Sequence, residues 1–230
     1  MPRPPFIDFP LDPSLMSALE KCVRPSGDAA PEAEWPGNIL STKTAVYMSG
    51  RIAKAGEPVV HQVDPDELEQ IKRLAHDALK VMQGVPVGMG SKSPDAFQMF
   101  YSAANVDDTR PEKIDAEMIR SRFGGTIFPP ATITVEPMVE GGTWWSEVSA
   151  ASNSSIQLFP WRQMIHWFRT QPDFVDSAFV RIGDIAALRN LSVTDYPAGT
   201  IAPGHTLPRL ALGLTRAGSL TGLLGCCDLG

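Results

Sequence analysis

Proline and glycine are spread along the chain and limit the length of any regular element. The sequence contains 21 prolines and 19 glycines among 230 residues. Proline interrupts helix interiors, and glycine favours turns that need a positive φ. This density predicts many turns and extended connections. It disfavours an all-helical bundle, so we expect short helices combined with strands.

Composition places the chain among globular proteins and excludes several functional classes. Hydrophobic residues make up 43% of the sequence, charged residues 20%, and the net charge is −6. A chain without clustered Lys and Arg side chains cannot neutralise a phosphate backbone, so sequence-independent binding to nucleic acid is not expected. No apolar run reaches the ~20 residues that a membrane span needs, and the start MPRPPFIDFP lacks signal-peptide and transit-peptide patterns. A soluble, intracellular protein is predicted.

The three cysteines indicate a reducing compartment. Cys22 stands alone and Cys226 adjoins Cys227, an odd count without the spacing of a disulfide framework. The same count and spacing do not fit a structural zinc site. We therefore expect a cytoplasmic location, or one inside an assembled particle, with the vicinal pair acting as small hydrophobic residues.

Periodicity predicts helices over 13–23 and 65–83, each preceded by an Asp N-cap and opened by a proline. Residues 44–63 are expected to form a hairpin, with TAVYMSGRI and PVVHQV as its strands. The apolar stripe of helix 65–83 should pack on a sheet that contains this hairpin. Farther on, Thr109 and Glu112 form a capping box, which predicts a helix that ends before Gly124 and Gly125.

The second half of the chain carries less charge and more strand signals. No lysine follows Lys113. Strands are predicted at ATITVE, TWWSEVSA and SAFVRI, an aromatic helix at FPWRQMIHWFRTQ opened by Pro160, and a closing hairpin at RLALGLTR and SLTGLLGCC, with Leu210, Leu212 and Leu214 on one face. The predicted fold class is α+β: antiparallel hairpins with three to four interspersed helices, one packed on the sheet. We expect a single domain over 14–230, with a sub-boundary inside it near 124–126.

Residues 1–13 are predicted to form an extended, proline-rich arm that docks on a protein surface. The stretch contains five prolines, which lower the cost of ordering it. Phe6, Ile7 and Phe9 offer apolar anchors that would otherwise face water. Deleting residues 2–10 is expected to weaken assembly or partner binding while the fold is retained.

Two adjacent tryptophans, Trp144 and Trp145, are further candidates for protein interaction. In the predicted strand their side chains point to opposite faces, so one indole lies away from the main core. A second layer of the same chain or a partner surface must cover it. Both interpretations stay open at this stage.

The four histidines are the remaining candidates for acid–base or metal chemistry. His61, His76 and His166 each suit a structural or surface role. His205 lies in DYPAGTIAPGHTLPRLALGL, a segment that resembles the first metal-binding strand of cupin-like iron oxygenases. The resemblance implies a metal at His205, but the chain lacks a following His-x-Asp/Glu and any later histidine. No P-loop, nucleophile elbow, zinc-protease or dinucleotide motif is present, so no metal or cofactor is predicted.

Three functions follow from these patterns. The first is a non-catalytic structural or assembly subunit of a homo- or hetero-oligomer, such as a viral or other multi-subunit particle, whose partners are protein chains. The second is an enzyme with a site assembled from scattered residues, for which His205, His166 and Glu147 are the candidates. The third is a small-molecule binding module with an aromatic pocket near Trp144, Trp161 and Trp167.

Overall fold

The C-terminal hairpin, residues 206–228, forms the centre of the molecule, and its two strands are buried along nearly their whole length.

The computed structural model describes residues 12–24, 33–56, 59, 61–87, 95–192, 194, 196, 197, 200 and 206–228. The described helices are α1 (Pro13–Val23), α2 (Pro65–Val81), α3 (Ala116–Arg122), α4 (Gly142–Ala151), α5 (Ser155–Thr170) and α6 (Ile185–Arg189). The described strands are β1 (Thr44–Val46), β2 (Ile52–Lys54), β3 (Gln98–Ser102), β4 (Ile133–Pro137), β5 (Phe174–Ile182), β6 (Thr206–Thr215) and β7 (Leu220–Asp228).

Five strands form one antiparallel sheet in the order β3-β7-β6-β5-β4. The predicted α+β class with antiparallel hairpins is thereby confirmed. The predicted closing hairpin is β6 and β7, and Leu210, Leu212 and Leu214 lie in one hydrophobic cluster as expected. The described residues contain more helices than predicted, because α4 and α6 were not foreseen as helices.

Each face of the sheet is covered by helices. Leu212 belongs to the cluster that contains Leu19 of α1 and Phe123 beside α3. The preceding residue, Ala211, lies on the opposite face of the sheet and belongs to the cluster that contains Trp144 of α4 and aromatic residues of α5. Burial on both faces explains why β6 and β7 read as nearly continuous apolar runs.

Helices α1 and α2 begin where their N-cap signals predict. Asp12 accepts hydrogen bonds from the amides of Ser14 and Leu15, and Asp64 accepts one from Asp66. The helix predicted over 65–83 is confirmed, with its end at Val81. It packs on the five-stranded sheet rather than on a sheet containing the 44–63 hairpin. The Thr221 hydroxyl donates to the Ile71 carbonyl across that contact, at 2.6 Å.

The predicted 44–63 hairpin is wrong in its extent. The chain turns earlier, so TAVYMSGRI, predicted as one strand, contains β1, the turn and the first residue of β2, and β1 pairs with β2. Gly50 has φ +77° in that turn, a conformation that favours glycine. In PVVHQV, the described residues Val59 and 61–63 are not part of a strand, and the others lie outside the described residues.

The segment TWWSEVSA is helix α4, so its prediction as a strand was wrong. Gly141 is the N-cap residue and provides no side-chain bond. Glu136 of β4 takes over this role, because its carboxylate accepts from the amides of Thr143 at 2.6 Å and Trp144 at 3.3 Å. A carboxylate at a helix N-terminus also interacts favourably with the helix dipole. The helix therefore depends on a residue outside its own sequence window.

Two other helix boundaries differ from the prediction. Helix α3 is capped by Asp115, which accepts from the Met118 amide at 2.8 Å, and not by a box at Thr109 and Glu112. Helix α5 begins at Ser155 and contains Pro160 in its interior rather than at its first turn. No helix in the described part of the chain is both long and apolar enough to cross a membrane.

Candidate functional site

A polar pocket of about 380 Å³ lies beside the β1–β2 turn. It collects side chains from the turn, the segment before α2, the end of β3, the loop after β3, and α3. We call it the Arg51–Arg122 pocket. The lining residues are Arg51, His61, Ser102, Asp108, Thr109, Pro111, Met118, Ser121 and Arg122.

The β1–β2 turn places Arg51 at this pocket. The Gly50 amide donates to the Tyr47 carbonyl at 2.8 Å, and the Arg51 amide donates to the Ser49 hydroxyl at 3.4 Å. A Cβ on Gly50 would collide with the Tyr101 carbonyl. The turn therefore requires glycine both for its φ and for its close approach to β3.

His61 forms part of the inner wall. Its side chain is buried, and its Nδ1 lies 2.8 Å from the Ser49 hydroxyl. The Ser49 carbonyl in turn accepts from the Ala103 amide at 2.9 Å. Since Ser49 is 0% exposed, its hydroxyl lies behind the pocket wall rather than in the pocket. The Ser49–His61 pair braces the turn against the end of β3 and does not present a nucleophile.

Arg122 lies in the last turn of α3 and reaches across the pocket floor. Its guanidinium donates to the carbonyls of Ala103 at 2.9 Å and Gly218 at 2.8 Å. The nearest carboxylate, on Asp108, is 3.8 Å away, and the Arg122 side chain is only 15% exposed. Burial lowers the pKa of Arg122, the Asp108 charge opposes that decrease, and the Arg51 charge adds to it.

The pocket is therefore a local concentration of positive charge in a chain of net charge −6. Arg51 makes no ion pair with any carboxylate in the described part of the chain. Asp108 is the one acidic side chain among the residues that line the pocket. Two arginines and the exposed Ser121 line a space that suits a small anion.

The residues considered for a scattered catalytic site are not joined in one place. Glu147 pairs with Arg181 at 2.8 Å, and Glu136 pairs with the same guanidinium at 3.1 Å. His166 is exposed on α5, and no hydrogen bond or ion pair among the described residues connects it to Glu147. His205 lies outside the described residues. Within the described ranges there is also no group of three or more metal-ligating side chains.

The predicted interaction residues have different surroundings from those expected. Phe6, Ile7 and Phe9 lie outside the described residues. Trp144 is fully buried and stacks on Phe179 with 4.5 Å between ring centroids, whereas Trp145 is half-buried and meets Trp144 edge-on. Because both tryptophans are helical, their side chains do not alternate between opposite faces. The chain itself covers Trp144.

The aromatic residues proposed as a ligand pocket belong to the packed core. Trp144 and Trp161 are buried in one cluster, and Trp167 packs edge-on against Phe168 and Phe174. An apolar groove of about 280 Å³ lies nearby, between the end of α4, the start of α5 and the segment after α2. Its lining residues are Gly84, Val85, Pro86, Val148, Ala151, Ser152, Gln157, Pro160 and Trp161.

Two large apolar side chains of α5 face solvent in the same region. Ile156 is 81% exposed and Phe159 is 58% exposed. No charged residue occurs between Glu147 and Arg162 in the sequence. We call the exposed side chains and the adjacent groove the α4–α5 face. Such an uncharged apolar surface is typical of an interaction site.

No local motif marks the residues of the Arg51–Arg122 pocket. Arg51, Asp108 and Arg122 are separated by long stretches of chain and meet only through the fold. No protein-family model matches the sequence, and no curated protein is significantly similar to it. Function is therefore inferred from the chemistry of the described residues.

Proposed function

We propose that the protein binds a small anionic ligand, carrying phosphate or carboxylate groups, in the Arg51–Arg122 pocket. The observation that supports this proposal is that two arginines, Arg51 and the largely buried Arg122, share one pocket with a single carboxylate, Asp108, which lies 3.8 Å from the Arg122 guanidinium. This is a form of the small-molecule binding function, with a polar pocket in place of an aromatic one.

The electrostatics of the pocket favour an anion. Two like charges in a partly desolvated space raise the free energy of the folded protein. An anion between them relieves that cost, and the planar guanidinium groups match the oxygens of phosphate or carboxylate. The exposed Ser121 lines the same space, and its hydroxyl can supply a further donor. The volume of about 380 Å³ is within the usual range of small-ligand pockets.

Titration calorimetry with phosphate, pyrophosphate and citrate at constant ionic strength tests this proposal. Arg51→Gln removes one pocket charge and leaves the carbonyl contacts of Arg122 in place. We expect it to weaken anion binding by about 10-fold to 100-fold, the usual effect of losing a charged hydrogen bond. Arg169→Gln removes the same charge from the exposed side of α5 and serves as the matched control.

Two results would contradict the proposal. One is the absence of heat for all three anions at millimolar concentration. The other is equal affinity of the wild type and Arg51→Gln, which would place the anion elsewhere on the surface.

We propose as a second candidate that the protein assembles with copies of itself through the α4–α5 face. The exposure of Ile156 and Phe159 beside an apolar groove favours it. A second copy is the occupant that fits, because two acidic molecules approach each other with least repulsion where each lacks charge. This retains the assembly function predicted from the low charge of the second half.

Light scattering over a range of protein concentrations tests the second candidate. Phe159→Asp places a charge in the face and is expected to lower the measured mass to that of the monomer. Val106→Asp changes a side chain of similar exposure, 50%, outside the face and should leave the mass unchanged. A wild type that stays monomeric at high concentration would disprove self-assembly through this face.

A further inference from the structure

Two cysteines from opposite ends of the chain meet in the core. Cys22 lies near the end of α1 and Cys226 near the end of β7, 204 positions later. Their Sγ atoms are 2.7 Å apart, and both side chains are buried. Bonded sulfurs are about 2.05 Å apart, so only a small further approach separates this thiol pair from a disulfide.

The third cysteine does not compete for the same partner. Consecutive residues of a strand point to opposite faces. Cys226 therefore lies with Cys22 in the cluster under α1, and Cys227 lies in the cluster on the other face. The Cys227 thiol is 3.8 Å from the Val87 carbonyl. The fold assigns Cys22 a single partner and leaves Cys227 as a free thiol.

We propose that Cys22 and Cys226 form a disulfide bond that ties α1 to the last strand. The oxidant is another disulfide, either a small molecule such as oxidised glutathione or the active-site disulfide of a thiol oxidoreductase. One protein thiolate attacks the oxidant and releases a first thiolate, which leaves a mixed disulfide on the protein. The second protein thiolate then attacks the protein sulfur of this mixed disulfide and releases the second thiolate.

The reaction balances without any further reactant. The two protein thiols are oxidised by two electrons and lose two protons. The oxidant disulfide is reduced to two thiols that take up the same electrons and protons. The bond formed is Cys22 Sγ–Cys226 Sγ, and the bond broken is the sulfur–sulfur bond of the oxidant.

Burial controls when the bond can form. Burial raises the pKa of the Cys22 thiol well above its usual range, the nearby thiol of Cys226 raises it further, and the Arg209 charge partly opposes the increase. Attack requires the thiolate and access to the oxidant. The pair therefore reacts slowly in the folded protein and is best oxidised while the chain refolds.

The bond would close a very long loop and constrain the unfolded chain. A long loop gives a large loss of unfolded-state entropy, and native disulfides usually stabilise a protein measurably. For a chain of this size the expected increase in Tm is about 5–15 °C. Helix α1 could then no longer separate from the sheet.

Refolding of the full-length chain tests the inference. The denatured, reduced protein is refolded in reduced and oxidised glutathione, alkylated and mapped by mass spectrometry, alongside a sample kept in a non-thiol reductant. We expect a linked Cys22–Cys226 peptide, an alkylated Cys227 and the higher Tm in the oxidised sample alone. Cys22→Ser should abolish the Tm difference, and Cys227→Ser, the matched control, should keep it.

The peptide map of the wild type decides the question even where a serine variant fails to fold. Three alkylated cysteines after oxidative refolding would overturn the inference. So would a bond between Cys226 and Cys227, a bond between Cys22 and Cys227, or disulfides found only between molecules.

Discussion

Two ionisable side chains, Arg209 near the start of β6 and Cys227 near the end of β7, are buried in the core. Arg209 is 2% exposed, and its guanidinium donates to the carbonyls of Pro208 and Ile182 at 3.0 and 3.3 Å. Its Nε and the Glu147 Oε2 atom are buried without a hydrogen-bond partner in the described part of the chain. Burial lowers the pKa of Arg209, and a thiolate at Cys227 and the Glu147 carboxylate would oppose that decrease.

The Cys227 thiol should make the folded protein sensitive to alkali. Burial raises its pKa from 9.0 to about 12, and the Arg209 charge partly opposes the increase. A thiol with a raised pKa keeps its proton in the folded state, so its stabilising effect is complete below pH 9 and is lost as pH rises towards 12. Between pH 8 and 10 this single group lowers the free energy of unfolding by about 1.3 kcal/mol.

Cys227→Ala is expected to remove the part of the decrease in the free energy of unfolding between pH 8 and pH 10 that comes from ionisation of the Cys227 thiol. Denaturant unfolding of both proteins at pH 8 and pH 10, in reductant, measures it. The comparison uses the change between the two pH values, since the cavity left by the substitution affects both equally. Equal losses in the wild type and Cys227→Ala would show that the thiol does not ionise on unfolding.

At the scale of elements, α4 depends on a contact made by β4. Glu136 accepts from the first amides of α4 and pairs with Arg181, with both side chains largely buried. Glu136→Ala removes the cap on α4 and leaves the buried Arg181 guanidinium with Glu147 as its remaining ion-pair partner. We expect it to lower the free energy of unfolding by about 3 kcal/mol, measured by denaturant unfolding.

Glu140→Ala is the matched control for this prediction. Glu140 pairs with Arg162, but both side chains are about half exposed, at 45% and 47%. Exposed ion pairs contribute about 0–1 kcal/mol. Similar losses for Glu136→Ala and Glu140→Ala would mean that the cap on α4 is not what stabilises it.

The contact between α2 and the sheet is tested at Ile71. This side chain is 0% exposed and belongs to the main core cluster. Ile71→Ala should lower the free energy of unfolding by about 2–5 kcal/mol, since it removes buried methyl groups and leaves a cavity. Glu69→Ala on the exposed side of the same helix is the control. A loss below half a kcal/mol in denaturant unfolding would place Ile71 outside the core.

The elements predicted correctly carry their own end signals. Helices α1 and α2 have an Asp N-cap followed by proline, and the closing hairpin has alternating leucines and a glycine turn. The errors arise where a distant residue decides the outcome. Segment 142–151 contains strand-forming residues, but Glu136 caps it as a helix, and packing of Trp144 on Phe179 buries its apolar side.

The candidate site was beyond local pattern analysis for the same reason. The sequence predicts a structural or surface role for His61, and the structure shows it buried, with its Nδ1 2.8 Å from the Ser49 hydroxyl. The residues that flank Arg51 and Arg122 in the sequence form no motif that would distinguish them from surface arginines. Their common pocket exists only after the β1–β2 turn packs against β3 and α3, so neither spacing nor composition could indicate it.

In the molecule as a whole, the first described element, α1, packs against the last two, β6 and β7. Helix α1 covers the face of the sheet built by the C-terminal hairpin, and Leu15, Leu19 and Cys22 share one cluster with Leu224 and Cys226. The start of α1 is held by the Asp12 amide, which donates to the Val46 carbonyl at 3.1 Å. Contacts between residues so distant in sequence are expected to slow folding.

Two deletions should distinguish the contribution of the N-terminal arm to folding from that of helix α1. Removing residues 2–10 leaves α1 and its cap at Asp12, so we expect far-UV circular dichroism and the unfolding midpoint to stay unchanged. Removing residues 2–24 uncovers the leucine face of β6 and β7, which exposes enough apolar surface to eliminate the cooperative unfolding transition or to cause aggregation. Circular dichroism during denaturant titration measures both. A cooperative transition of full amplitude in the longer deletion would show that the sheet folds without α1.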